Sequence, residues 1–154
     1  MLLNGITGFY DRKEDEPPIM DSKEFKRFCF QIARLIGERV IFFTKPHYPS
    51  NYYEVKLSND LYILLNAHYP YIAFADFVED SKVNFINDSS LHNACSAAGY
   101  QVLTVADLHT PLKIAEKTGQ LFVENRNSLN EAEIAQIKNW KPKTVGEVIY
   151  NCWD

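Results

Sequence analysis

The sequence predicts an α+β fold: an antiparallel β-meander of four to six strands packed against an N-terminal helix and C-terminal helices. Three observations predict it. Apolar residues recur at three- and four-residue spacing over residues 21–36, the pattern of a one-sided helix. Short runs rich in β-branched and aromatic residues then follow one another through residues 39–77, separated by turn residues. Helix-start signals return in the last third. At 154 residues the chain fits a single domain, 1–154, long enough for a core without metals or disulfides.

Each element has a local reason. The first twenty residues read as irregular and end at Pro17-Pro18. Asp21 and Glu24 form a capping-box pattern, and Gly37 is a helix stop. Phe25, Phe28, Cys29, Ile32, Leu35 and Ile36 form the buried stripe between them. RVIFFTK (39–45) is a dense apolar run bounded by Gly37 and Pro46, which suits a strand covered on both faces. YYEVKL (52–57), LYILLNAH (61–68) and YIAFADF (71–77) continue the meander, and VNFI (83–86) adds a short strand. Asp88 or Ser89 caps a helix that stops at Gly99, and YQVLTV (100–105) reads as a strand. A helical turn is expected between Pro111 and Gly119. Ser128 with Glu131 opens a helix to about Trp140, and Thr144 caps a final one, VGEVIYNCW.

Turn chemistry sets the register. Ser58-Asn59-Asp60 pairs Leu57 with Leu61, Val55 with Ile63 and Tyr53 with Leu65. In His68-Tyr69-Pro70-Tyr71, proline at the third position fits a cis Tyr69-Pro70 turn, pairing Leu65 with Phe74 and His68 with Tyr71. One face of the sheet is then Tyr53, Val55, Leu57, Ile63, Leu65, Ile72 and Phe74, a core. The other holds Tyr52, Glu54, Lys56, Tyr62, Leu64, Asn66, His68, Tyr71 and Ala73. That second face is either a sheet surface left to solvent or to the C-terminal helices, or a recognition surface. In the latter case Tyr52, Glu54, Tyr62, Asn66, His68 and Tyr71 are the binding residues, because tyrosine offers large contact area at low entropic cost.

No set of residues stands out for catalysis. Cys29, Cys95 and Cys152 fall on apolar stripes, where a thiol behaves as a small hydrophobe. His47, His68, His92 and His109 show no metal-ligand spacing, and no phosphate or dinucleotide glycine pattern occurs. No catalytic residue, metal ligand or cofactor is therefore assigned. His68 and Asp76 point to opposite faces on this register, which argues against an acid–base pair. A net charge of −4 without a Lys/Arg block argues against nucleic acid. No apolar run approaches the length of a membrane span, and the start lacks a secretion signal, so a cytoplasmic protein is expected. Phe30 sits on the basic side of the first helix among Lys23, Arg27 and Arg34, where another segment is expected to cover it.

The C-terminus, WKPKTVGEVIYNCWD, carries the most distinctive pattern. Trp140, Pro142, Gly146, Glu147, Val148, Ile149, Tyr150, Asn151, Trp153 and Asp154 match a W-x-P, G-E-V-I-[FY]-N-x-W-D ending. In this the chain resembles a group of small uncharacterised bacterial proteins, and the opening NGITGFY is similar as well. The resemblance implies a bacterial, cytosolic origin and attaches no activity. Two functions stay open. One is a non-enzymatic protein-interaction module, of the immunity-protein kind, using the tyrosine-rich face. The other is a small enzyme or ligand-binding protein with a pocket around His68, Asn66 and Tyr62.

Overall fold

The structure is a computed structural model that describes residues 1–80 and 82–154. Strands β1 (Val40–Thr44), β2 (Tyr52–Leu57), β3 (Tyr62–Asn66), β4 (Tyr71–Glu79) and β5 (Lys82–Ile86) pair in chain order, all antiparallel. A two-residue strand, β6 (Gln101–Val102), adds in parallel beside the start of β4. The fold is α+β, with the meander set between an N-terminal helix and C-terminal helices.

The β2–β3 hairpin has the expected register, with Tyr53 opposite Leu65 and Val55 opposite Ile63. Asp60 takes a left-handed φ of 66°, and Asn59 Oδ1 accepts the Leu61 N–H, so short polar residues make this turn. The next hairpin differs. Leu65 faces Ile72 and Ile63 faces Phe74, a slip of two residues from the expected pairing. The cis bond is not at Tyr69-Pro70; it lies at Tyr48-Pro49. Asn66 is the reason for the wider loop. Its side-chain oxygen accepts the N–H groups of His68 (2.9 Å) and Tyr69 (3.1 Å), which fixes a four-residue connection, 67–70. Because side chains alternate with period two, a slip of two leaves both faces unchanged.

Helix α1 (Ser22–Leu35) lies on the first face. Asp21 caps it by accepting from the N–H groups of Lys23 and Glu24, and Gly37 ends it at φ 74°. Phe25, Cys29, Ile32 and Ala33 pack there against Tyr53, Val55, Leu57, Ile63, Leu65, Ile72 and Phe74. Leu91 and Cys95 of α2 (Ser89–Ala97) complete that core. Leu35 is not part of it and stands 81% exposed. At 3.6 residues per turn it lies about 80° round the helix from Phe25, at the stripe's margin. Phe30 is also exposed, not covered as expected. Strand β1 is an edge rather than a strand covered on both faces. Among the described residues it pairs only with β2, with a bulge at Ile41, and both Ile41 and Phe42 are exposed.

The second face is covered by the N-terminal segment with α3 (Val105–Leu108), α4 (Glu131–Trp140) and α5 (Val145–Ile149). Leu2, Ile6, Leu108, Ile137, Val148, Ile149, Tyr150 and Trp153 bury Tyr52, Leu64, Tyr71, Ala73 and Ala75. Residues 111–119 form no helical turn. They begin a hairpin of β7 (Ile114–Lys117) and β8 (Gln120–Val123), whose turn residues Thr118 and Gly119 both have positive φ. The strand expected over 100–105 is cut short because Thr104 and Asp107 form a capping box and start α3. Helix α4 likewise begins two residues later than the Ser128 reading, capped by Asn130 and Glu133. Among the described residues, no helix is long and apolar enough to cross a membrane.

Candidate functional site

The six residues expected to form a recognition face do not form one open surface. Tyr52, Asn66 and Tyr71 are buried under the C-terminal segment, whereas Glu54, Tyr62 and His68 are partly exposed. Tyr52 donates its hydroxyl to the Asp80 carbonyl (3.2 Å), and the Tyr71 carbonyl accepts the Tyr150 hydroxyl (2.8 Å). Tyr62 stays near the open side of the sheet, edge-on to Phe42 (6.3 Å) and under the Lys56 ammonium (5.6 Å). Asp76 is also separate from His68; it accepts a 2.6 Å hydrogen bond from Asn84. Tyr71→Ala is therefore expected to lower folding stability by about 3–5 kcal/mol, as core aromatic truncations do. Tyr62→Ala should cost less, about 1–2 kcal/mol, since that ring is only partly buried. Urea denaturation of the two variants checks the contrast, and equal losses would contradict it.

Beneath that cover lies a layer of buried polar side chains. Asn66 Nδ2 donates to the carbonyls of Ile6 (2.9 Å) and Ile149 (2.8 Å), and Asn51 Nδ2 donates to the same two at 3.0 Å each. Asn151 pairs with Asn51, giving its N–H to Asn51 Oδ1 (2.8 Å) and taking the Asn51 N–H on its carbonyl (3.1 Å). Glu133 Oε1 accepts the N–H groups of Gly5 (2.7 Å) and Asn130 (3.1 Å). Its Oε2 accepts the Thr7 N–H (3.0 Å) and Thr7 hydroxyl (2.6 Å). The two distinctive stretches, NGITGFY and GEVIYNCWD, thus meet through these groups, with every buried side-chain polar atom among the described residues partnered. Gly5 is needed for this approach, because its φ is 78° and a Cβ would lie 2.3 Å from Pro17 Cβ.

The same layer holds open a cleft of about 400 Å³ between the N-terminal loop, the 45–50 loop and His68. Phe9, Pro46, Pro49, Tyr53 and Trp153 supply apolar walls, with Ile19 and Tyr48 at the rim. Those two are 79% and 69% exposed. His68 Nδ1 lies 2.8 Å from the Pro18 carbonyl oxygen. A carbonyl only accepts, so Nδ1 carries a hydrogen, and in the neutral ring Nε2 remains as an acceptor. Gly8, at φ 92°, stands beside Nε2 without a side chain to cover it. Lys45 adds a cation to the lining, and none of the lining residues is acidic. Of the pocket residues expected from sequence, His68 lines this cleft and Asn66 and Tyr62 do not. The N-terminal contribution was not legible, since residues 1–20 carry no periodic signal.

Burial, followed by the nearby Asp88 carboxylate, pushes the Cys95 thiol up to about 12, and burial and Cys95 raise Cys29 further. Cys152 is half-exposed and raised mainly by burial; its Sγ donates to the Asp80 carbonyl (3.2 Å). All three are free thiols. Thiol-reagent titration at pH 8 should therefore modify Cys152 first and leave Cys29 and Cys95 unreacted until denaturant is added. Linkage gives a second readout. The Cys95 contribution to stability is full below its ordinary value of 9.0 and is lost as pH rises toward about 12. Immediate reaction of Cys29 or Cys95 would contradict both. Among the described residues, no group of three His, Cys, Asp or Glu side chains gathers as a metal site would require. Comparison with family models, curated proteins and solved structures finds no match to this chain.

Proposed function

We propose that this chain is a non-enzymatic protein-interaction module, of the immunity-protein kind, which receives its partner in the cleft beside His68. The observation that carries the reading is the pair Ile19 and Tyr48, both highly exposed and both on the rim of one apolar cleft. Exposed apolar surface around a concavity mainly serves binding. The buried asparagine and Glu133 contacts hold the walls in place, so the cleft needs little ordering on association. His68 is where the expected tyrosine-rich face and this cleft overlap. A bacterial, cytosolic setting, as the C-terminal pattern suggests, is part of the proposal.

Ile19→Ala and Tyr48→Ala should leave folding stability within about 0.5 kcal/mol, since these side chains are largely solvated. Each should weaken capture of a cognate partner from the native host's extract by tenfold or more. A partner captured equally by wild type and both variants would place recognition elsewhere. A second reading is a small-ligand site, favoured by the cleft volume of about 400 Å³ together with the unspent His68 nitrogen.

A further inference from the structure

We infer that the cleft takes an extended acidic segment of a partner protein, seating an aromatic or aliphatic anchor on Phe9 and Trp153 beside the Lys45 ammonium. The inference rests on the interaction reading above and names the partner's chemistry. The chain as a whole carries −4, yet the cleft is lined by one cation and no carboxylate, so its local sign opposes that of the molecule. Lys45 is exposed and, among the described residues, makes no ion pair. Other polar lining groups are already engaged: Thr7 on Glu133, and Asn51 on the Ile6 and Ile149 carbonyls.

A ligand therefore meets three open polar groups over an apolar floor: the Lys45 ammonium, His68 Nε2 and the exposed Tyr48 hydroxyl. Lys45 offers a positive charge, and His68, whose Nδ1 is given to the Pro18 carbonyl, has Nε2 left to meet the ligand, as an acceptor when the ring is uncharged. A peptide supplies the complement to the first two: a carboxylate for the ammonium and a backbone N–H for the imidazole. The adjacent apolar side chain then fills the cleft between Ile19 and Tyr48. A polyanion gripped by its phosphates needs several clustered cations, and here there is one. A second copy of this net-acidic chain is the competing occupant, and it would show as dimerisation.

The test uses the full chain and blocked peptides, followed by NMR shifts and by tryptophan fluorescence, to which the stacked Trp140 and Trp153 both contribute. Ac-Asp-Glu-Leu-Phe-Asp-NH2 should bind with a Kd below about 1 mM. It should bind at least tenfold tighter than Ac-Lys-Lys-Leu-Phe-Lys-NH2. Raising salt should weaken it, and Lys45→Glu, at an exposed position, should abolish the preference while leaving the circular dichroism spectrum unchanged. No saturable binding of the acidic peptide would overturn the inference, as would a shift to dimer that is lost in Tyr48→Ala. Equal binding of both peptides would overturn the acidic preference and leave the interaction reading intact. If 3-phenylpropionate alone bound as tightly as the peptide, the site would be a small-molecule pocket and both readings would fall.

Discussion

Replacing Glu133 by alanine should lower folding stability by about 4 kcal/mol or more, the largest loss expected from one polar side chain here. The carboxylate is fully buried and accepts four hydrogen bonds, from Gly5, Thr7 (twice) and Asn130. Alanine leaves those donors facing a void, and each unsatisfied buried donor costs about 1–3 kcal/mol before relaxation. The loss should also be structural in a particular way. Gly5 and Thr7 are held against α4 by this group, so the N-terminal segment should detach and the cleft should lose the wall that Phe9 supplies. Glu133→Gln separates charge and hydrogen bonding from size. Its oxygen can serve Gly5 and Asn130, but its amide hydrogens would oppose the Thr7 donors, so about 2 kcal/mol should be lost. Urea unfolding with a lowered m-value, as a native state that has already released its N-terminal segment requires, and faster proteolysis before residue 20 in the alanine variant, would bear this out. A loss under about 1 kcal/mol for alanine would show that water replaces the carboxylate.

What the sequence made legible follows from how local each signal was. Alternation and the Ser58-Asn59-Asp60 turn specify the β2–β3 register, and they put Val55, Ile63 and Phe74 on the face that α1 covers. The next hairpin slipped because Asn66 looked like one more strand residue, while its side chain bonds the loop behind it. Thr118-Gly119 reads as a helix stop after Pro111 only if the alternation of Ile114, Leu121 and Val123 is passed over. The site was least legible of all. Gly5 bonds to Glu133 across 128 positions and Asn51 to Asn151 across 100, and no local pattern marks such pairs. Their one trace is polar residues set among apolar neighbours, as at Asn66 between Leu65 and Ala67.

Deleting residues 145–154 should collapse the cover of the second sheet face and leave a chain that melts far below the full protein or does not fold. Helix α5 has five residues, too few to persist without packing, so its stability is borrowed from the contacts it makes. Val148, Ile149, Tyr150 and Trp153 are all buried against the sheet and α4. Losing them would expose Tyr52, Tyr71 and Leu64 together and would strand Asn51 and Asn66 without the Ile149 carbonyl. The point variant Trp153→Ala isolates one piece of this. Its indole lies parallel to that of Trp140, with ring centroids 6.5 Å apart and planes 6° from coplanar, and only 6% of the residue is exposed. Truncating it should cost about 3–5 kcal/mol, whereas Trp153→Phe, which keeps a ring there, should lose about half as much. Thermal melts of the deletion and both variants decide the matter. A deletion that melts with the intact protein would mean the tail is a free peptide, and then Trp153 could not serve as the floor of the cleft.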